Sequence, residues 1–269
     1  MVIDVHTHIY PDALAARALG KLREACGQSP RTDGTLSGLL RSMTESGVAR
    51  SVVVPIATRP QQVGTINDFA LSLIKADVII PFGTMHQSFD GRSEELRRMS
   101  AAGIRGIKMH PDYQDFFVDD PEFVDIVNEC SRLGMRVLIH GGFDVAFPDV
   151  HHCTPERVLR ILPEIDSSTL CLAHFGGFGY LQDVIDMLCG RDIYFDTSLS
   201  CYLATPGEGA EACERIIRSH RPDRLMFGSD SPWDSQRGAI EYILSLGLDG
   251  GLTDRIFYKN ASEFLGLDG

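Results

Sequence analysis

The chain has 269 residues, of which 43% are hydrophobic and 23% charged, a composition typical of globular proteins. Its formal charge of −12 excludes a general attraction for nucleic acid or anionic lipid, because both bind clustered Lys and Arg. No stretch approaches the roughly 20 apolar residues that cross a bilayer, and no basic and apolar leader opens the sequence, so we expect a cytoplasmic protein without a membrane partner.

One pattern recurs along the chain: an amphipathic helix, a glycine and then a short apolar strand. Gly47, Gly103 and Gly134 stand where a helix needs a left-handed residue after its last turn. The strands that follow are apolar on both faces, as parallel strands covered by helices are. The sequence predicts eight strands, near 2–6, 51–56, 79–84, 104–109, 136–140, 169–174, 192–197 and 224–228.

Eight such units predict an α/β protein with a single domain over residues 1–269, folded as a (β/α)8 TIM barrel. The alternative is a doubly wound sheet, which usually has a Gly-rich turn after its first strand, whereas this strand ends in "HTH". The late segment "KNASEFLGLDG" predicts a terminal helix that packs against the barrel. Seven cysteines without a C-x-x-C pair predict buried thiols rather than a disulfide framework or a zinc ribbon.

Polar side chains stand at the ends of several predicted strands, where a barrel brings them to one mouth. These residues are His6, His8, Lys108, His110, His140, His174 and Asp230. Alternation along the first strand predicts that Asp4, His6 and His8 point inward and that Ile3 and Val5 face the helices. The same alternation aligns His140 with Leu138, His174 with Leu170 and Leu172, and Asp230 with Met226.

Convergence of these groups is the argument for a metal site, since each group alone is weak evidence. Nine histidines give roughly 0.3 H-x-H pairs by chance, and a single strand histidine is more often a hydrogen-bonded core residue than a ligand. Three imidazoles and a carboxylate suit Zn²⁺ with an open position for water or substrate, and Mn²⁺ or Fe²⁺ accept the same ligands. We therefore predict one divalent metal ion, Zn²⁺ in the first instance.

The motifs "DVHTH", "IHGG", "AHFGG" and "FGSDSPW", in this order, resemble the amidohydrolase superfamily over nearly the whole chain. The resemblance is strongest to the amidohydrolase-related branch that includes aminocarboxymuconate semialdehyde decarboxylase. It implies that the metal ligands are His6, His8, His140 and Asp230, with His174 as a catalytic proton-transfer group beside Asp230. In relatives with two metal ions, the residue that matches His174 binds the second ion. Relatives are often dimers, so a homodimer is also implied.

Lys108 and His110 leave two interpretations open. Two-metal relatives bridge their ions with a carbamylated lysine from the fourth strand, and Lys108 is a candidate for that group, with His110 beside it on the inward face. The alternative is an ion pair between Lys108 and a substrate carboxylate or a barrel acid such as Asp4. We expect the ion pair, and therefore a single metal ion.

Metal-activated water serves both hydrolysis and decarboxylation, so the ligands do not decide the reaction. We expect a metal-dependent hydrolase that cleaves a C–N or C–O bond of a small, carboxylated substrate. The alternative is a non-oxidative decarboxylase of an unsaturated or aromatic acid, and a non-catalytic barrel is disfavoured because it has no use for such a ligand set. Five loop residues are candidates for substrate contact, namely Arg59, His86, His151, His152 and Trp233.

Overall fold

The computed structural model describes residues 1–200 and 208–267, where short parallel strands alternate with helices. The strand segments are β1 (Ile3–Thr7), β2 (Arg50–Val53), β3 (Ile79–Pro81), β4 (Gly83–Thr84), β5 (Gly106–Met109), β6 (Arg136–Ile139), β7 (Leu170–Leu172), β8 (Tyr194–Asp196) and β9 (Leu225–Met226). The helices are α1 (Asp12–Cys26), α2 (Leu36–Ser46), α3 (Val63–Ser72), α4 (Arg92–Ala101), α5 (Pro111–Gln114), α6 (Pro121–Arg132), α7 (Pro155–Ile161), α8 (Leu181–Asp183), α9 (Glu208–Ser219), α10 (Gln236–Ser245), α11 (Gly250–Asp254) and α12 (Asn260–Leu265).

The strands pair in chain order, β1 to β3 in one sheet and β4 to β9 in another, and every pairing is parallel. Only Phe82 separates β3 from β4, and its N–H donates to the carbonyl of Val53, so these two segments correspond to one predicted strand. Backbone hydrogen bonds from Val5 to Phe227 and from Asp230 to His6 join the first strand to the last. The predicted α/β barrel is confirmed.

Helix ends follow the predicted glycine pattern. Gly47 is the left-handed residue that ends α2, with φ 73°, and Gly103 and Gly134 adopt φ 91° and 68° after α4 and α6. At its other end α2 is capped by Thr35, whose side chain accepts a hydrogen bond from the N–H of Gly38 at 3.0 Å. These local signals fix where each helix stops and the next strand starts.

The barrel interior is an apolar cluster that draws on almost every strand. Its members on the strands or directly beside them are Ile3, Val5, Val52, Val54, Ile80, Phe82, Leu138, Cys171, Ala173, Tyr194 and Met226. Phe264 and Leu265 of α12 join the same cluster, and the carbonyl of Phe264 accepts a hydrogen bond from Arg136, the first residue of β6. The predicted terminal helix therefore closes the barrel at the amino ends of its strands; residues 268 and 269 lie outside the described chain.

The predicted alternation is wrong in β1. Asp4 is buried in the helix layer, where it accepts hydrogen bonds from Ser229 Oγ at 2.6 Å and from Gln236 Nε2 of α10 at 2.8 Å. Ile3 and Val5 face the barrel interior instead. The register of β1 against β2 shifts between Asp4 and Thr7, and this irregularity turns His6 into the mouth.

The predicted alternation is also wrong in β7. Leu170 and Leu172 pack in the helix layer, while Cys171 and Ala173 line the interior. His174 reaches the mouth because its backbone leaves the strand in the left-handed region, with φ 58°. The predicted interior positions of Leu138 and Met226 are correct.

The cysteines agree with the expectation of unpaired thiols. Cys130, Cys153, Cys171 and Cys213 are buried and free, and Cys189 is half-buried and free. Burial raises the pKa of Cys153 to about 12, which leaves the thiol protonated and unreactive at neutral pH. Cys201 lies outside the described residues. Within residues 1–200 and 208–267, no helix has both the length and the apolar character that crossing a membrane requires.

Candidate metal centre

A cavity of about 720 Å³ opens at the carboxyl ends of the strands. The structure brings all seven predicted strand-end residues to its wall, namely His6, His8, Lys108, His110, His140, His174 and Asp230. Most of these side chains are nearly removed from solvent, with His6 1% and Asp230 6% exposed. The site therefore holds many titratable groups in a small volume that is largely shielded from water.

His6, His8 and Asp230 form a compact group in this cavity. The Nε2 atoms of His6 and His8 are 3.2 Å apart, and Oδ1 of Asp230 lies 3.3 Å and 3.1 Å from them. Two imidazole nitrogens and a carboxylate oxygen are donors that a divalent ion such as Zn²⁺ accepts. The three residues thus fit a metal ion, and the left-handed backbone of Asp230, with φ 70°, turns its carboxylate towards both histidines.

Asp196, the last residue of β8, sets the orientation of His6. Its Oδ2 accepts a hydrogen bond from Nδ1 of His6 at 2.9 Å, and both side chains are buried. With the proton on Nδ1, Nε2 of His6 presents its lone pair to the group that contains Asp230. A carboxylate behind a histidine in this way is the usual support for a metal-binding imidazole.

A chain of hydrogen bonds runs from Asp196 to His140. Ser198 Oγ donates to Oδ1 of Asp196, so Nδ1 of His174, 2.9 Å away, donates to Ser198. Nε2 of His174 then accepts from Nδ1 of His140 at 3.0 Å. A neutral His140 is left with a lone pair on Nε2, although that atom lies 3.2 Å from the carbonyl oxygen of Phe143. The lone pair of His140 Nε2 and the carbonyl oxygen of Phe143 then face each other without a proton between them, so the space between these two atoms suits a bound cation.

His140 is not part of the compact group of His6, His8 and Asp230. Its ring stacks on that of His110 with centroids 4.1 Å apart, and Nε2 of His110 lies 3.4 Å from Oδ2 of Asp144. His110, His140 and Asp144 have donor atoms within 4.8 Å of one another and form a second group able to hold an ion. Ligation of the first ion by His140 stays a prediction.

Burial dominates the electrostatics of the site. It lowers the pKa of His6, His110, His140 and His174 well below the usual value for imidazole, and the positive charge of Lys108 adds to this effect at His6 and His110. Burial likewise raises the pKa of Asp230. The imidazoles are therefore neutral near pH 7, the form in which a histidine binds a metal ion.

Lys108 is buried beside His6, with Nζ 3.4 Å from Nε2 of His6. Burial lowers its pKa to about 8, while Asp196 and Asp230 act in the opposite direction. The expected ion pair with Asp4 is wrong, because Asp4 faces the helix layer and is bound there by Ser229 and Gln236. An ion pair with a substrate carboxylate stays a prediction.

Of the five loop residues predicted to contact substrate, Trp233 lines the cavity and the other four do not. Arg59 is exposed at the start of a short turn, and His86 accepts a hydrogen bond from the N–H of Ser88. His151 contacts Tyr180, while His152 is buried against Asp112 with Nδ1 2.6 Å from the carboxylate. Substrate contacts by these four residues are not supported by their positions.

Asp196 and Ser198 are the functional candidates that sequence reasoning missed. Both belong to the segment "YFDTSLS", and Asp196 falls at the end of a predicted strand, so the rule that found the other residues also applies to it. Asp144 is a third candidate that sequence reasoning missed. Its backbone N–H donates to the carboxylate of Asp112 at 2.9 Å, and Asp112 is itself paired with His152. These contacts hold the loop that carries Asp144.

Comparisons with known proteins agree with this architecture. A protein from Bordetella bronchiseptica described as an uncharacterised TIM-barrel protein superposes with a TM-score of 0.77, at 19% identity and over 98% of each chain. A protein from Acinetobacter baumannii assigned as 2-pyrone-4,6-dicarboxylic acid hydrolase, with citric acid bound, gives 0.69 at 17% identity over 99% of each chain. 2,6-Dihydroxybenzoate decarboxylase from Rhizobium gives 0.72 at 16% identity, over 100% of this chain and 99% of its own.

The sequence itself decides the family. No curated protein matches the chain, but the model of the amidohydrolase family matches residues 3–267. That range contains every strand of the barrel and all the groups at its mouth that could hold a metal ion. The chain therefore belongs to the amidohydrolase family, a family of enzymes that are generally metal-dependent.

Proposed function

We propose that the protein is a hydrolase that binds one Zn²⁺ and cleaves a C–N or C–O bond of a small carboxylated substrate. The observation that carries this proposal is the compact group of His6, His8 and Asp230, with the lone pair of His6 directed into it by Asp196. His140, whose Nε2 keeps a lone pair, would complete three imidazoles and one carboxylate. Mn²⁺ or Fe²⁺ would accept the same donors.

The chain's own groups account for the proton transfers of such a reaction. A bound divalent ion would lower the pKa of a water molecule towards about 7 and polarise a carbonyl group. Asp230, whose pKa burial raises, would accept a proton from water at its carboxylate. His174 would act at Nε2, which keeps a lone pair while Nδ1 donates to Ser198 at 2.9 Å: it would take up a proton there and then release it to the leaving group.

A carboxylated substrate is supported by charge and by analogy. Lys108 is a buried cation at the floor of the cavity, in a chain with a net charge of −12. The names of two fold neighbours refer to a dicarboxylic acid and to a dihydroxybenzoate, and citric acid is bound in one of them. These molecules share carboxylate groups, which the fork of an arginine or the charge of a lysine recognises.

Decarboxylation is the second candidate, and the composition of the cavity wall favours it. Tyr113, Phe143, Phe178 and Trp233 line the cavity, and these rings suit an aromatic or unsaturated acid. The fold neighbours also include decarboxylases of 2,6-dihydroxybenzoate and 5-carboxyvanillate. Both reactions use the same ligands and differ in the bond that breaks.

The test is a substrate panel on zinc-loaded protein, with bound metal measured on the same samples. Lactones, amides and unsaturated or aromatic carboxylic acids are scored for hydrolysis and for release of carbon dioxide. We expect hydrolysis of a carboxylated member, together with loss of metal and activity in His6→Ala and retention of both in His151→Ala. Carbon dioxide release would select the alternative, and a native protein that binds no metal would overturn both.

A further inference from the structure

The cavity continues from the strand ends along one face of α1. Leu14, Ala18 and Leu22, spaced four residues apart, line it together with Arg17 and Lys21. From Leu14 to Leu22 the helix advances about 12 Å. Ile66 and Phe69 of α3 line the same cavity, so its walls here are largely apolar. The cavity is thus a long space whose inner end carries the histidines and whose outer end carries α1.

The neighbouring face of α1 attaches the helix to the barrel. Ala15 and Leu19 are buried, and Leu19 packs over Gly34, where a Cβ would lie 2.9 Å from Leu19 Cδ1. The face towards the cavity is not covered in this way, since Leu14 keeps 52% of its surface exposed. A ligand that extends out of the site would therefore meet this face of α1.

Arg17 and Lys21 are the two cations on this face. Both are exposed, and neither makes a hydrogen bond or ion pair with the residues that the structure describes. Some arginines on other helices are paired with acids, as Arg98 is with Glu95 and Arg160 with Glu156. In a chain with a net charge of −12, two adjacent and unpaired cations beside an apolar wall produce a local site for an anion.

We propose that Arg17 and Lys21 bind a carboxylate at the far end of an elongated substrate. This inference rests on the proposed function, because it assumes that the reacting group lies at His6, His8 and Asp230. The substrate class is then a molecule with an apolar body between a hydrolysable group and a terminal carboxylate. Arg17 and Lys21 would select for the terminal anion and take no part in bond cleavage.

Two hydroxamic acids test the subsite on zinc-loaded protein by titration calorimetry. Octanohydroxamic acid has a metal-binding head and an apolar tail, and suberic acid monohydroxamate has the same head and chain length with a terminal carboxylate. We expect the carboxylate to tighten binding about fivefold, in line with a partly exposed ion pair, and this gain to shrink in about 0.5 M salt. The double variant Arg17→Gln with Lys21→Gln should bind both compounds equally.

Arg23→Gln is the matched control, since Arg23 lies on the same helix but does not line the cavity. This variant should keep the preference for the carboxylate. Equal affinity of the native protein for the two compounds would overturn the subsite and leave the proposed function standing, because either hydroxamate reports the metal. Failure of the zinc-loaded protein to bind either compound would overturn the proposed function and the inference with it.

Discussion

Asp196, the last residue of the short strand β8, orients several groups of the candidate site. One of its oxygens holds His6, and the other accepts from Ser198 Oγ and from the N–H of His174 at 3.0 Å. A single carboxylate therefore orients two of the imidazoles that line the cavity. Because hydrogen bonds behind metal ligands tune metal affinity, Asp196 is the residue whose loss is most informative.

We predict that Asp196→Asn weakens zinc binding by about 10- to 100-fold, because the amide removes the negative charge that supports His6. Competition with a chelator of known affinity measures the change. Asp192→Asn is the control, since Asp192 is half exposed and pairs with Arg224 at the surface. Unchanged affinity in Asp196→Asn would remove the support for His6 as a ligand.

His220 provides a pH-dependent contribution to stability away from the cavity. It is buried, its Nε2 donates to the carbonyl of Ile193 at 2.9 Å, and burial lowers its pKa from the usual 6.5 to about 4. Between pH 4 and pH 6.5 the imidazole of His220 is therefore protonated in the unfolded chain and neutral in the folded protein. Stability from this residue is thus complete above pH 6.5 and falls by about 3 kcal/mol as the pH drops to 4.

The measurement is urea unfolding of the native protein and of His220→Gln between pH 7 and pH 4. Other buried histidines affect both proteins alike, so the difference isolates His220. We expect a shallower pH dependence in the variant, which cannot protonate at this position. Parallel curves for the two proteins would show that His220 does not titrate with a lowered pKa.

The residues recovered from sequence share one property, namely that they lie at or shortly after the carboxyl ends of apolar strands. His140 and Asp230 could be found because a parallel strand end fixes where the next side chain goes. Alternation placed Asp4 on the wrong face of β1, because the register of this strand shifts after Asp4. It also aligned His174 with the wrong strand residues, because His174 reaches the mouth through a left-handed backbone. Both features depend on tertiary packing, which alternation along a strand does not describe. The position of His152 was not predictable because Asp112, in the separate helix α5, determines it.

At the scale of elements, α12 packs against the amino ends of the barrel strands as part of the interior cluster. Phe264 is buried at the closed end, and its ring lies 4.7 Å from that of Tyr194 on β8. The helix was recognisable in the sequence, but the end of the barrel that it covers was not, because both ends offer apolar residues. The hydrogen bond from Arg136 to the Phe264 carbonyl fixes that end.

Phe264→Ala should lower the free energy of unfolding by about 3–5 kcal/mol, because it removes a buried ring and leaves a cavity under the barrel. Chemical denaturation of native and variant protein measures the loss. Glu263→Ala, on the preceding residue, should change stability little. A loss below about 1 kcal/mol in Phe264→Ala would mean that α12 is not an integral part of the core.

For the whole molecule, the candidate metal centre lies where the first strand of the barrel, β1, meets the last strand, β9. His6 lies in β1 and His8 just after it, while Asp230 follows β9, and the hydrogen bond from Val5 to Phe227 joins the same two segments. An ion held by these residues binds only the folded protein. Its binding free energy therefore adds to the stability of the closed barrel.

Zinc at about 100 times its dissociation constant should stabilise the fold by about 2.7 kcal/mol and raise the melting temperature by several degrees. Thermal unfolding with zinc and with a chelator measures this shift. His8→Ala should remove most of it, whereas His151→Ala should keep it. Equal melting temperatures with and without zinc in the native protein would exclude a tight site at the barrel closure.

The joining of β1 to β9 also sets the order in which the site can form during synthesis. His6 and His8 precede Asp230 by more than 200 residues, so they leave the ribosome before most of the barrel has been made. Contacts this distant in sequence form late in folding, so a nascent chain carries exposed histidines without their carboxylate partner. We therefore expect the proposed metal site to form only after Asp230 has been synthesised, and zinc bound to a shorter nascent chain to have a different, non-native set of ligands.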